Sequence, residues 1–105
     1  LNYLYDLMIK NPTFVIQLES HTDTRGSVTD NQKLSQRRAQ TCVDYLVGRG
    51  IDIARLVASG KGESEPLISD QKINAMATEE EKEIAHQKNR RTVFTILRYD
   101  YVPKQ

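Results

Sequence analysis

A chain of 105 residues can bury one modest core and no more. Fifteen Lys and Arg against fourteen Asp and Glu leave a formal charge of +1, so no bulk electrostatic pull toward nucleic acid or an anionic membrane exists. Trp is absent and Phe occurs twice, which argues against an aromatic platform for stacking single strands.

No apolar run reaches the length of a membrane span, and the chain begins without a basic-then-apolar signal segment. The beginning reads as that of a domain excised from a larger protein, so the missing signal carries no information about location. Leu1, Leu4 and Met8, with Tyr5 beside them, repeat at helical spacing up to Asn11-Pro12, which ends the helix. Residues 13–19 alternate, with Phe14, Ile16 and Leu18 on one face, and predict a strand. A polar loop over 20–30 holds Gly26, and a helix is expected over 31–47, stopped by Gly48-Arg49-Gly50. Within it Ala39, Cys42, Val43 and Leu46 share the apolar face, so the single cysteine reads as a small buried hydrophobe.

Residues 55–59 predict a short strand running into Gly60-Lys61-Gly62-Glu63, and Pro66 marks a loop. Thr78 followed by Glu81 is a capping-box pattern, placing a third helix over 78–87. The final strand, 91–99, carries apolar residues on both faces, Phe94/Ile96 and Val93/Leu97, as a strand covered on both sides would. This order, α-β-α-β-α-β, predicts an α/β sandwich. A crossover helix normally joins two strands, so a further strand is expected ahead of the opening helix.

The richest chemistry lies in His21-Thr22-Asp23-Thr24-Arg25-Gly26 and the helix that follows. Asp23 follows the predicted strand and Arg38 falls at the edge of the helix's core-facing stripe. Together they could offer a carboxylate to an ammonium and a guanidinium to a carboxylate, with helix N–H groups assisting. Spacing alone leaves a second reading open, in which Asp23 caps the turn and Arg38 forms an ordinary surface ion pair. His21 has no paired nucleophile and reads as a structural, hydrogen-bonded histidine rather than a catalytic base.

Glu83 and His86 could be half a metal site, but no second half exists and Glu79, Glu80 and Glu81 adjoin them. A solvated acidic face is the better reading, and no metal is expected. Gly60-Lys61-Gly62 lacks the spacing of a phosphate loop and reads as a tight turn. Alternation sends Arg90 and Arg91 to opposite faces without deciding which of them serves the crevice.

Taken together, these motifs resemble the OmpA-like peptidoglycan-binding domain, also found in peptidoglycan-associated lipoproteins and flagellar stator proteins of the MotB type. The resemblance rests on Asn11-Pro12, His21-Thr22-Asp23-x-x-Gly26 and Asn31-x-x-Leu34-Ser35-x-x-Arg38-Ala39. It continues through Tyr45-Leu46-x-x-x-Gly50-Ile51, Arg55-Leu56, Gly60-x-Gly62-Glu63-x-x-Pro66 and Asn89-Arg90-Arg91-x-Val93. Ser20 stands where the family usually has Gly, and the stretch 67–88 is longer than usual, resembling versions from Bacteroidetes outer-membrane proteins.

The resemblance implies a two-layer sandwich of helices on a mixed sheet, with βαβαβ topology, whose first strand has no counterpart here. Residues 1–105 would then be a single domain of an envelope protein. The implied function is non-catalytic: binding the meso-diaminopimelate of the peptidoglycan stem peptide and so tethering an outer-membrane or periplasmic protein to the wall. Asp23 would take the ammonium and Arg38 the carboxylate, with N–H groups around Asn31 to Lys33 assisting. Asn31 would order the loop and donate to the ligand, Thr22 and Leu34 would line the pocket, and Arg91 would help or brace the strand. The implied location is the periplasm of a Gram-negative bacterium, with no cofactor and no nucleic-acid partner. Two rival functions are a scaffold in an envelope secretion or motility complex, with protein partners there, and a wall-peptide hydrolase.

Overall fold

A computed structural model describes residues 1–103. Its elements are α1 (Asn2–Lys10), β1 (Val15–His21), α2 (Val28–Gly48), a 3-10 turn (Ile53–Arg55), β2 (Leu56–Gly62), α3 (Asp70–Asn74), α4 (Glu79–Asn89) and β3 (Arg91–Arg98). The three strands form one mixed sheet in the order β2-β1-β3. β1 runs parallel to β2, from Ile16 opposite Leu56 to His21 opposite Gly62, with a register shift beside His21. It runs antiparallel to β3, with His21 opposite Arg91. The parallel pair needs a crossover, which α2 supplies.

The core lies between one face of the sheet and the helices α1 and α2. Ile16, Leu18 and Leu56 from the sheet meet Leu4 and Met8 of α1 and Val43 and Leu46 of α2, closed by Ile51. Cys42 is half-buried against this cluster, and burial raises its thiol pKa, in keeping with an inert cysteine on the apolar face.

Arg55 locks the far end of this core. It sits in the 3-10 turn rather than in the strand, is 6% exposed, and its guanidinium donates to the carbonyl oxygens of Met8 (3.0 Å), Asn11 (2.7 Å) and Phe14 (3.0 Å). A cation thus satisfies carbonyls at the C-terminal end of α1, where the helix leaves them unpaired.

Four sequence expectations change. α2 begins at Val28, not at 31, because the Ser27 hydroxyl accepts from the Asp30 amide after Gly26 turns the chain at φ +88°. β2 continues through Gly62, so Gly60 is no turn. A Cβ there would stand 2.4 Å from the Gln36 backbone nitrogen, and the bare glycine lets β2 lie directly on α2. The helix α3, capped by Ser69 and anchored by buried Ile73, has no counterpart in the sequence expectation. Finally, β3 is an edge strand, largely exposed, with Leu97 44% accessible; it is not covered on both faces.

Candidate ligand-binding site

Beyond His21 the chain keeps its contact with β2 for one more residue, as the Thr22 amide donates to the Gly62 carbonyl at 2.9 Å. The Thr22 hydroxyl turns back to the Asp23 carbonyl (2.9 Å), which fixes the direction in which Asp23 leaves the sheet. Asp23 is 8% exposed. Its Oδ1 accepts the Arg25 amide at 3.0 Å, closing a local turn. Its Oδ2 accepts from Arg25 Nη2 at 2.9 Å and from Arg90 Nη1 at 2.6 Å.

Glu83 of α4 completes the circuit, accepting from Arg25 Nη1 (2.9 Å) and Arg90 Nη2 (3.1 Å). Four charges therefore alternate in a ring. Burial pushes the Asp23 carboxyl up, but the hydrogen bonds from Arg25 and Arg90 outweigh it and hold its pKa at about 2. Glu83 is lowered by the same two arginines, Arg90 most strongly. A second tie from this segment joins the Thr24 hydroxyl to Asp70.

Asn31, buried at the start of α2, holds the loop from the other side. Its Nδ2 donates to the Arg25 carbonyl at 2.9 Å and lies 3.4 Å from the Asp23 carbonyl and 3.5 Å from Glu63 Oε1. Because α2 starts early, the Asn31 amide already donates to the Ser27 carbonyl at 3.0 Å. The expectation that amides of residues 31–33 face a ligand is therefore corrected: helix geometry leaves the unpaired amides one turn earlier, at Val28 and Thr29. Leu34 is half-buried and Arg38 exposed; they lie on the face that Asn31 opens, Arg38 two turns along it. The Arg38 side chain makes no hydrogen bond or ion pair with any other described residue.

Of the two arginines that open β3, Arg90 is the one that reaches Asp23. Arg91 spends its donors on the carbonyl oxygens of Asn89 (3.1 Å) and Glu65 (2.9 Å), so it braces two loops. Sequence reasoning does not single out Arg25 or Glu83 for this role. Arg25 gives a weak signal by standing two residues from Asp23, whereas Glu83 lies 58 residues from Arg25 and reads in sequence as a solvated face.

His21 is buried as a structural histidine would be, but the hydrogen bond expected of it is not formed. Its ring is 2% exposed, its Nδ1 has no partner among the described residues, and its Nε2 stands 3.7 Å from Glu19 Oε2.

The chain is similar to known proteins in sequence and in fold. The OmpA family matches over residues 2–90. Outer membrane protein A of Shimwellia blattae is 53% identical over 47 residues, which are 45% of this chain and 20% of that protein. The chain thus spans about one fifth of the length of that curated relative. The cell wall anchor of the T6SS from Pseudomonas aeruginosa superposes with a TM-score of 0.67 at 30% identity, covering 89% of this chain and 60% of that one. The peptidoglycan-associated lipoprotein from Burkholderia pseudomallei shares the fold, with a TM-score of 0.69 at 23% identity over 89% of this chain and 72% of that one. With a three-stranded mixed sheet among the described residues, α1 and α2 packed on one of its faces and a family match over most of its length, the chain belongs to the OmpA family.

Proposed function

We propose that this protein is a non-catalytic peptidoglycan-binding module of the Gram-negative envelope, holding the meso-diaminopimelate of a stem peptide between Asp23 and Arg38. The observation that carries the reading is a buried carboxylate, Asp23, beside the start of α2, on which Arg38, two turns along, has an unpartnered side chain among the described residues. Asp23 is kept ionised at any physiological pH. The similarity to a cell wall anchor and to a peptidoglycan-associated lipoprotein supports the same conclusion.

In this reading the ligand's ammonium donates to Asp23 in place of Arg25, whose side chain is 50% exposed. Arg38 holds the adjacent carboxylate in a forked pair, and the amides of Val28 and Thr29 add the positive end of the helix. Thr22 and Asn31 keep the loop in shape, while Leu34 contacts the ligand's methylene chain. Arg91 contributes by bracing the loops beneath. Selectivity follows from charge: a lysine at the same stem position offers no second carboxylate and leaves Arg38 without its partner, a loss of about 2–5 kcal/mol. Weak single-site binding still suffices for tethering, because many copies face one polymeric wall. Calorimetric titration with muropeptides carrying meso-diaminopimelate or lysine tests the assignment.

A further inference from the structure

On the other side of the same strand end lies a cluster that wall binding does not use. Glu19 and His21 sit two residues apart on β1, and Glu65 approaches from the loop after β2. One ligand-capable atom from each lies within 4.8 Å of the other two. His21 is fully buried, yet Nδ1 has no partner among the described residues, and Nε2 is too far from Glu19 Oε2, at 3.7 Å, for a good hydrogen bond. The buried ring thus makes no good hydrogen bond, and the nitrogen that faces the two carboxylates, Nε2, is left for another partner.

The separation suits a shared ion better than a hydrogen bond. Two ligand atoms each about 2.1 Å from one tetrahedral metal stand roughly 3.4 Å apart. Glu19 is also oriented to act as a ligand, since Gln17 Nε2 donates to its Oε1 at 2.7 Å and leaves Oε2 turned toward His21. Glu65 is exposed and free to close the remaining gap by a change of rotamer. The nearest competing cation, Arg91, faces His21 across the β1–β3 register but donates to main-chain carbonyls, so it takes neither carboxylate.

We propose that Glu19, His21 and Glu65 form a zinc site with one coordination position open to water. Zinc accepts both imidazole nitrogen and carboxylate oxygen and takes three protein ligands with a water in the fourth position, and the imidazole selects against magnesium and calcium. The ion would clip the loop after β2 to the end of β1, next to the Thr22–Asp23 turn.

Zinc chloride titrated calorimetrically into metal-stripped protein tests this directly, with thermal unfolding followed in parallel. The expected result is one zinc per chain and a melting temperature raised by zinc but not by magnesium or calcium. Glu65→Gln, at an exposed position that folding does not need, is expected to weaken binding by about tenfold or more, and Glu19→Gln likewise. His86→Ala, which removes the other histidine, leaves it unchanged. Absence of saturable one-to-one binding would overturn the proposal, as would binding that survives both glutamate substitutions or is lost with His86.

Discussion

At the scale of single residues, Asp23 is where folding and binding meet. Its carboxylate is held by three donors from two arginines, and its pKa of about 2 lies below the ordinary carboxylate value. A depressed carboxyl contributes stability that is fully present above its unfolded pKa, about 3.9, and is lost as pH falls toward the folded value. The contribution is about 1–2 kcal/mol once solvent screening at the exposed Arg25 is allowed for. Urea unfolding is expected to show stability declining between about pH 4 and pH 2. In Asp23→Asn that decline flattens, while stability at neutral pH drops because two arginines lose their partner.

Arg55 makes a second single-residue case. Three carbonyl oxygens depend on its guanidinium, so Arg55→Ala is expected to cost about 2–4 kcal/mol in denaturant unfolding. Arg55→Lys recovers little of this, since an ammonium does not reproduce the planar fork.

At the scale of elements, the contact between β2 and α2 sets how closely the sheet and helix approach. A methyl group at Gly60 meets the Gln36 backbone nitrogen, the Gln36 Cα and the Ser35 hydroxyl at 2.4, 2.6 and 2.7 Å. Backbone on both sides has nowhere to go, and Gly60→Ala is expected to destabilise by about 2–3 kcal/mol. Gly48, in the last turn of α2 with nothing within 4 Å, is the control. Gly48→Ala is expected to be neutral or stabilising by up to about 1 kcal/mol in the same measurement.

The elements also show what a sequence makes legible. α1 is plain because Leu4 and Met8 repeat at helical spacing before Asn11-Pro12, and both are buried. The α4 cap is plain because its signal is local: the Thr78 hydroxyl accepts the Glu81 amide at 3.1 Å. The true start of α2 is hidden because Val28 and Thr29 are poor helix formers, and the Ser27 cap decides the matter instead. The two apolar faces of β3 mislead, since composition does not reveal whether a strand is central or at an edge. Asp23, Asn31 and Arg38 are legible as a motif through family resemblance. The Arg25–Glu83–Arg90 ring is not, because only the folded chain brings α4 to the loop after β1.

At the scale of the whole molecule, the stretch between β2 and β3 acts as a strap over the ligand loop. Its base is pinned by buried Asn89, whose side chain exchanges hydrogen bonds with the Ile68 amide (2.9 Å) and carbonyl (3.0 Å). Its top reaches Thr24 through Asp70 and Arg25 through Glu83. The sheet thus presents Asp23, α2 presents Arg38, and the strap holds the arginines that keep Asp23 ionised. This division of labour is what the proposed binding of diaminopimelate between two charges requires.

The most direct test is a calorimetric titration of the wild type, Asp23→Ala and Arg38→Ala with a muropeptide containing meso-diaminopimelate, and of the wild type with its lysine counterpart. Saturable binding of the first muropeptide is expected, weakened by at least about tenfold by lysine or by either substitution. Equal binding of both muropeptides by folded wild type, or affinity unchanged in Arg38→Ala, would contradict it.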